Sequence, residues 1–288
     1  HCVFHWKSRR PTRHFPGMPT TPDISRAWPP DDHYSLLQRC RSLYHELWFR
    51  LSERIRWSRQ PYHETPIGCL AGLTSWQIAR INELQVRYNL RFETHYGQHT
   101  ALANYAYLDL LHQAWTNTNR PVPQGGVVAD VGCANFWYAR TLHAFFRPAT
   151  LTGVDVEGFR LYPTGYSRYD AARGYIAGLS QTSFLVANYC EVETKADVIT
   201  AWFPFVTPSP VLAWRLPLTV FSPERLFDRI ARNLTSQGLF FMVNQGSDEA
   251  AIAADYGRRA GLQQVDRWVH PRPLRTRPHP PVVTWWTA

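Results

Sequence analysis

The sequence predicts an α/β protein: a doubly wound, mostly parallel seven-stranded sheet with an antiparallel C-terminal strand, preceded by an α-helical N-terminal region. Three observations predict it. From Val127 onward, short apolar runs alternate with helical patterns, which implies right-handed βαβ crossovers with helices on both faces of a parallel sheet. Before Thr116 the apolar spacing is helical. After Gln263 two strand-like runs follow one another with only a Pro/Arg-rich loop between them, so they should pair antiparallel at the sheet edge.

The helical region comes first. Leu36, Leu37, Cys40, Leu43, Tyr44, Leu47, Trp48, Leu51 and Ile55 recur at helical spacing and predict a helix over 31–57, with Asp31 or Asp32 placed to cap its start. Glu46 stands four residues before Arg50, a favourable pair on the solvated face. A second helix begins near Thr74 or Ser75 and carries Trp76, Ile81, Leu84 and Tyr88. A third covers 98–115, with Leu102, Tyr105, Leu108 and Leu111 inward. Residues 116–126, rich in Pro, Asn and Gly, separate this region (31–118) from a Rossmann-like domain (124–288). Within that domain the expected strands are 127–131, 150–156, 183–187, 197–202, 239–244, 263–270 and 282–286. The expected helices are 136–146, 168–179, 223–234 and 247–260.

Composition narrows the class. With 44% apolar and 14% aromatic residues over 288 positions the chain can bury a large core. No apolar run approaches the roughly 18 residues needed to cross a bilayer, so no membrane partner is expected. Five cysteines, odd in number and without a CxxC pair, favour a reducing, cytoplasmic setting over a disulfide framework or zinc. His95 and His99 sit four apart on a polar face and read as solvated, so no metal is expected. The net charge is +9, concentrated on the flanks. A nucleic-acid partner is one explanation. An Arg-rich composition, with Lys7 and Lys195 the only lysines, is the plainer one, because no basic run is interleaved with a nucleic-acid motif. Residues 1–17 have no acid, no periodicity and no apolar signal segment, and 1–30 read as a leader.

In an open α/β sheet, ligands bind beyond the carboxyl ends of the strands, at the switch point in strand order. Asp130 and Gly132 end the first strand, in "VVADVGCANFWYA", and Asp155 ends the second, in "LTGVDVE". Gly132 allows a tight turn against a ligand, and Asp155, an exposed strand-end acid by expectation, can accept hydrogen bonds from a ribose diol. With "FLVANY" and "ADVITAWFPF" at the ends of the next two strands, and the C-terminal pair without a crossover helix, residues 126–288 resemble the class I S-adenosylmethionine-dependent methyltransferases.

That resemblance implies an enzyme with S-adenosylmethionine as cofactor. It implies that Asp130 approaches the methionine end, that Gly132 and Ala134 face the cofactor through their backbone, and that Asp155 holds the ribose. Cys133 and Val156 belong to the same site. Asn188 and Tyr189 stand where the family recognises the adenine amine, and Trp202 near the reacting methyl group. The Asn/Asp-Pro-Pro-aromatic signature of amino-group methyltransferases is absent, since Trp202 stands where its polar residue would. The acceptor is unidentified and no catalytic base is named. The helical region and the loop 203–223 are expected to roof the acceptor pocket. Phe136, expected one turn into a helix, either packs inward or lies over the cofactor; packing is the commoner outcome. Two rivals stand beside this reading: a non-catalytic scaffold whose cleft has closed around Phe136, and an RNA-directed protein using the Arg-rich flanks.

Overall fold

Seven strands form one sheet in the computed structural model, which describes residues 34–288. The expected leader and the candidate caps Asp31 and Asp32 lie outside the described residues. The strands are β1 (Val127–Val131), β2 (Thr150–Asp155), β3 (Thr182–Val186), β4 (Ala196–Trp202), β5 (Leu234–Gln245), β6 (Gln263–Val269) and β7 (Pro281–Thr287), in the order β3-β2-β1-β4-β5-β7-β6. The first five are parallel, and β7 runs antiparallel between β5 and β6. This is the doubly wound arrangement expected from the sequence, with one refinement. Of the two C-terminal strands only β6 lies at an edge of the sheet, because β7 is apolar on both faces and is buried almost throughout.

Alternation along the strands divides the core into two layers. Val128, Val198, Phe241 and Trp285 face one side, under α2 (Ser75–Tyr88), α3 (Gln98–Thr118), α4 (Ala139–Phe146) and α5 (Arg168–Ile176). Ala129, Ile199, Phe240 and Trp286 face the other, under α7 (Pro223–Asn233) and α8 (Gly246–Arg259). The helical region therefore supplies part of the first layer. Trp115 of α3 packs on Phe145, Phe146, Phe241 and Trp285. Buried polar groups lock it in register: Asp109 of α3 accepts from Arg80 of α2 at 2.5 Å and meets His270, just past β6, at 3.3 Å.

Between α1 (Leu36–Ile55) and α2 the chain forms a strap across α5. Tyr62 N–H donates to the Asp170 carbonyl, and Ser58 and the Arg59 N–H donate to the Asp170 carboxylate. The approach is so close that a Cβ on Gly174 would stand 1.6 Å from the Tyr62 carbonyl oxygen. Glu64 then ties the strap to the start of α3, accepting from Gly97 N–H and the Thr100 hydroxyl.

Two expectations change. Helix α1 is capped by Ser35, whose hydroxyl accepts from Gln38 N–H in a capping box. Its recurring apolar residues face water: Leu36, Leu43, Leu47 and Trp48 are all exposed, while Ser42 and His45 are buried. Helix α4 starts at Ala139 rather than Phe136, because Phe136 has φ 53, a left-handed backbone no helix accepts.

Candidate functional site

Strand order reverses at β1, and the turn after it carries the first group of expected residues. Gly132 and Cys133 donate their N–H groups to the Val154 carbonyl at 2.8 and 3.2 Å, which ties the turn to the end of β2. Gly132 has φ 70, and a Cβ there would meet nothing within 4 Å, so the floor of the turn faces open space. Ala134 is left-handed as well, at φ 54. Phe136 does not reach this space. It is fully buried, and its ring fills the place a side chain at Gly153 would take, 2.6 Å from the ideal Cβ position. The glycine in β2 is thus explained by the phenylalanine in the turn.

Asp130 is completely buried, accepting from the Tyr138 hydroxyl at 2.6 Å and from the Thr200 hydroxyl. Burial pushes its carboxyl up to about 7, against the pull of the two hydroxyls, and nearby Asp155 adds to the rise. Cys133 is likewise buried, with its thiol pushed well up, which leaves it a packing residue.

Asp155 is not the exposed acid the sequence suggested. It is 8% exposed and already accepts from Ala134 N–H at 2.7 Å, Glu157 N–H at 2.9 Å and Arg168 Nη1 at 3.3 Å. Arg168, at the first turn of α5, also reaches Glu157 at 3.1 Å, and Arg160 pairs with Glu157 at 2.7 Å. A carboxylate has about four acceptor positions, so roughly one remains on Asp155.

Beside this cluster lies a cavity of about 440 Å³, within the roughly 300–1,000 Å³ usual for small-ligand pockets. It is bounded by Ala134, Asn135 and Trp137 of the turn, by Arg160, Tyr162 and Arg168 beyond β2, and by Ala213, Trp214 and Arg215. Ala213 ends α6 (Pro208–Ala213) and Trp214 and Arg215 follow it, inside the loop expected as a roof. Val156 packs towards that roof, against the cluster of Val211, Leu212, Leu216 and Leu218. Helix α1 in turn grips the roof through Ser42, which accepts from Leu218 N–H at 2.8 Å.

The remaining expected residues are more dispersed. Asn188 follows β3, but its amide oxygen accepts from Cys190 N–H at 3.1 Å and caps a short turn. Tyr189 turns away into the opposite core layer. Trp202 ends β4 and stacks on Tyr107 of α3, ring centroids 4.2 Å apart and 11° from parallel. Its indole N–H is buried without an acceptor among the described residues. Tyr107, Tyr138, Thr200 and Arg168 were not anticipated. Each reaches the site from an element distant in sequence or through a contact no local pattern encodes.

No family model matches the chain, and no curated protein matches it. Solved structures similar to it include three S-adenosylmethionine-dependent methyltransferases. One from Aquifex aeolicus is 11% identical, with 61% of this chain and 88% of that chain covered and a TM-score of 0.45. One from Clostridium acetobutylicum is 8% identical, covering 73% and 97%, with a TM-score of 0.44. The third is magnesium protoporphyrin IX methyltransferase from Synechocystis with bound S-adenosylmethionine, 12% identical, covering 76% and 99%, with a TM-score of 0.43. Scores and identities this low carry no weight for activity or acceptor, and the fold class rests on the chain's own strand order.

Proposed function

We propose that the chain transfers a methyl group from S-adenosylmethionine to an acceptor bound under the α6 roof. The observation that carries this reading is the open floor of the β1 turn. Gly132 and Ala134 form it at the switch point, Asp155 holds it through Ala134 N–H, Asp130 lies buried behind it, and Phe136 is packed out of the way beneath β2. The donor set suits the cofactor: an acceptor position remains on Asp155 for a ribose hydroxyl, and a buried carboxyl at Asp130 can ionise beside a cationic methionine end.

The cofactor supplies a methyl group on a sulfonium, already a good leaving group. What the chain must add is alignment and exclusion of water. Asp155 would orient the ribose, sharing its oxygens with Arg168 or releasing it. Trp202, which ends β4 and stacks on Tyr107, would stand near the reacting methyl group. The adenine amine would have to share Asn188 with Cys190 N–H.

A second reading, a non-catalytic binding module, is favoured by one feature. Arg168 and two backbone N–H groups already satisfy most of Asp155 without any ligand. Titration of the intact chain with S-adenosylmethionine, beside Asp155→Asn, separates the two. The methyltransferase reading expects binding that the variant weakens by about 1.5–3 kcal/mol; no binding by the intact chain leaves the module.

A further inference from the structure

Among the described residues, the outward face of α1 departs plainly from ordinary amphipathic packing. Its inner face grips the roof through polar groups: Leu218 N–H donates to Ser42 at 2.8 Å, and the Thr219 hydroxyl donates to Glu46. The outer face presents Leu36, Leu43, Tyr44, Leu47, Trp48 and Ile55, each more than half exposed. At 3.6 residues per turn these side chains span an arc of roughly 140°. A contiguous apolar face left in water marks an interaction surface.

Charge decides what it meets. Arg39 and Arg50 lie along one edge of the arc, Arg41 lies along the other, and Arg54 lies within it near the C-terminal end, all exposed. The two acids of the helix sit towards the inner side, where Arg50 and Thr219 engage Glu46 and burial raises the Glu53 carboxyl. A second copy would set arginine edge against arginine edge with no acidic counterpart. Residues 1–33 are no better matched, since Lys7, Arg9, Arg10, Arg13 and Arg26 outweigh Asp23, Asp31 and Asp32 and leave that segment basic as well. Trp48 and Tyr44 are amphipathic side chains suited to the boundary between headgroups and acyl chains.

We propose that α1 lies on an anionic lipid surface, with its apolar arc at the acyl boundary and its arginines on the phosphates. This departs from the expectation of no membrane partner, which rested on the lack of a spanning run. No described helix is long and apolar enough to cross a membrane, but lying on one requires only a basic amphipathic helix. The inference stands apart from the methyl-transfer reading. Its structural consequence is local: α1 grips the roof whose end, at Ala213 to Arg215, lines the cavity.

Co-sedimentation of the full chain with vesicles tests it, using phosphatidylcholine alone or with about one-third phosphatidylglycerol. Anionic vesicles should bind at least about ten-fold more protein, and high salt should weaken binding. Leu47→Glu with Trp48→Glu should abolish binding at unchanged melting temperature, since both side chains are exposed. Arg41→Glu with Arg54→Glu should erase the preference for anionic vesicles. As a readout independent of those variants, brominated lipids should quench tryptophan fluorescence, and Trp48→Phe should reduce that quenching. The proposal is overturned by failure of the full chain to sediment, by equal binding of the Leu47/Trp48 variant, or by a lipid-free dimer that this variant dissociates.

Discussion

At Phe136 the backbone takes up a left-handed conformation and the ring is fully buried against Gly153. The left-handed backbone costs a non-glycine residue roughly 1–2 kcal/mol, and burial of the ring more than offsets it. Phe136→Ala should therefore destabilise by about 3–5 kcal/mol in urea unfolding. Phe136→Gly, freed of the backbone cost, should come out more stable than the alanine variant. The reverse order would show that the turn is not held left-handed. Asp130 offers a second test. Its folded carboxyl, raised from 3.8 to about 7, holds a proton that the unfolded chain releases. Its stabilising contribution is full below about pH 4 and is lost as pH rises through about 7. Asp130→Asn should remove that decline, gaining on the wild type by up to about 4 kcal/mol across the window. Parallel stability–pH curves would contradict the raised carboxyl. Asp130, Gly132 and Asp155 were legible as site candidates because strand ends at a switch point can be read from alternation alone. Their partners were not: Tyr138 and Thr200 on Asp130, and Arg168 on Asp155, are set by how a turn, β4 and α5 pack together.

Helix α1 shows what periodicity reports. Its apolar spacing located the helix within five residues of its start and two of its end. It could not say whether the stripe faced protein or water, because a helix held by polar contacts to a roof has the same spacing as one buried in a core. Helix α4 errs the other way. Its aromatic run looked helical from Phe136, and the left-handed backbone of Phe136 itself delays the start to Ala139. The strap over α5 had no sequence signal beyond Gly174, whose missing side chain makes room for the Tyr62 carbonyl. Gly174→Ala should push the strap off and cost about 1–3 kcal/mol, as overpacking does. Limited proteolysis should then cut between Trp57 and Tyr62. Undiminished stability with an uncut strap would place the backbone elsewhere.

Across the whole molecule, the change from helical spacing to alternating strands and helices was enough to give the sheet, its parallel part and its terminal hairpin. That β7 rather than β6 lies inside follows from the two apolar faces of "PVVTWWT". The same topology brings the β1 turn, the segment beyond β2 and the α6 roof around one cleft, and the functional reading stands on whether that cleft takes a cofactor. Calorimetric titration of the intact chain with S-adenosylmethionine is the most direct measurement. The account predicts one site per chain, displaced by S-adenosylhomocysteine and weakened about ten-fold or more by Asp155→Asn, the loss expected for a hydrogen bond to a charged group. No heat of binding from a folded chain at saturating cofactor, or an affinity indifferent to Asp155→Asn, would contradict it.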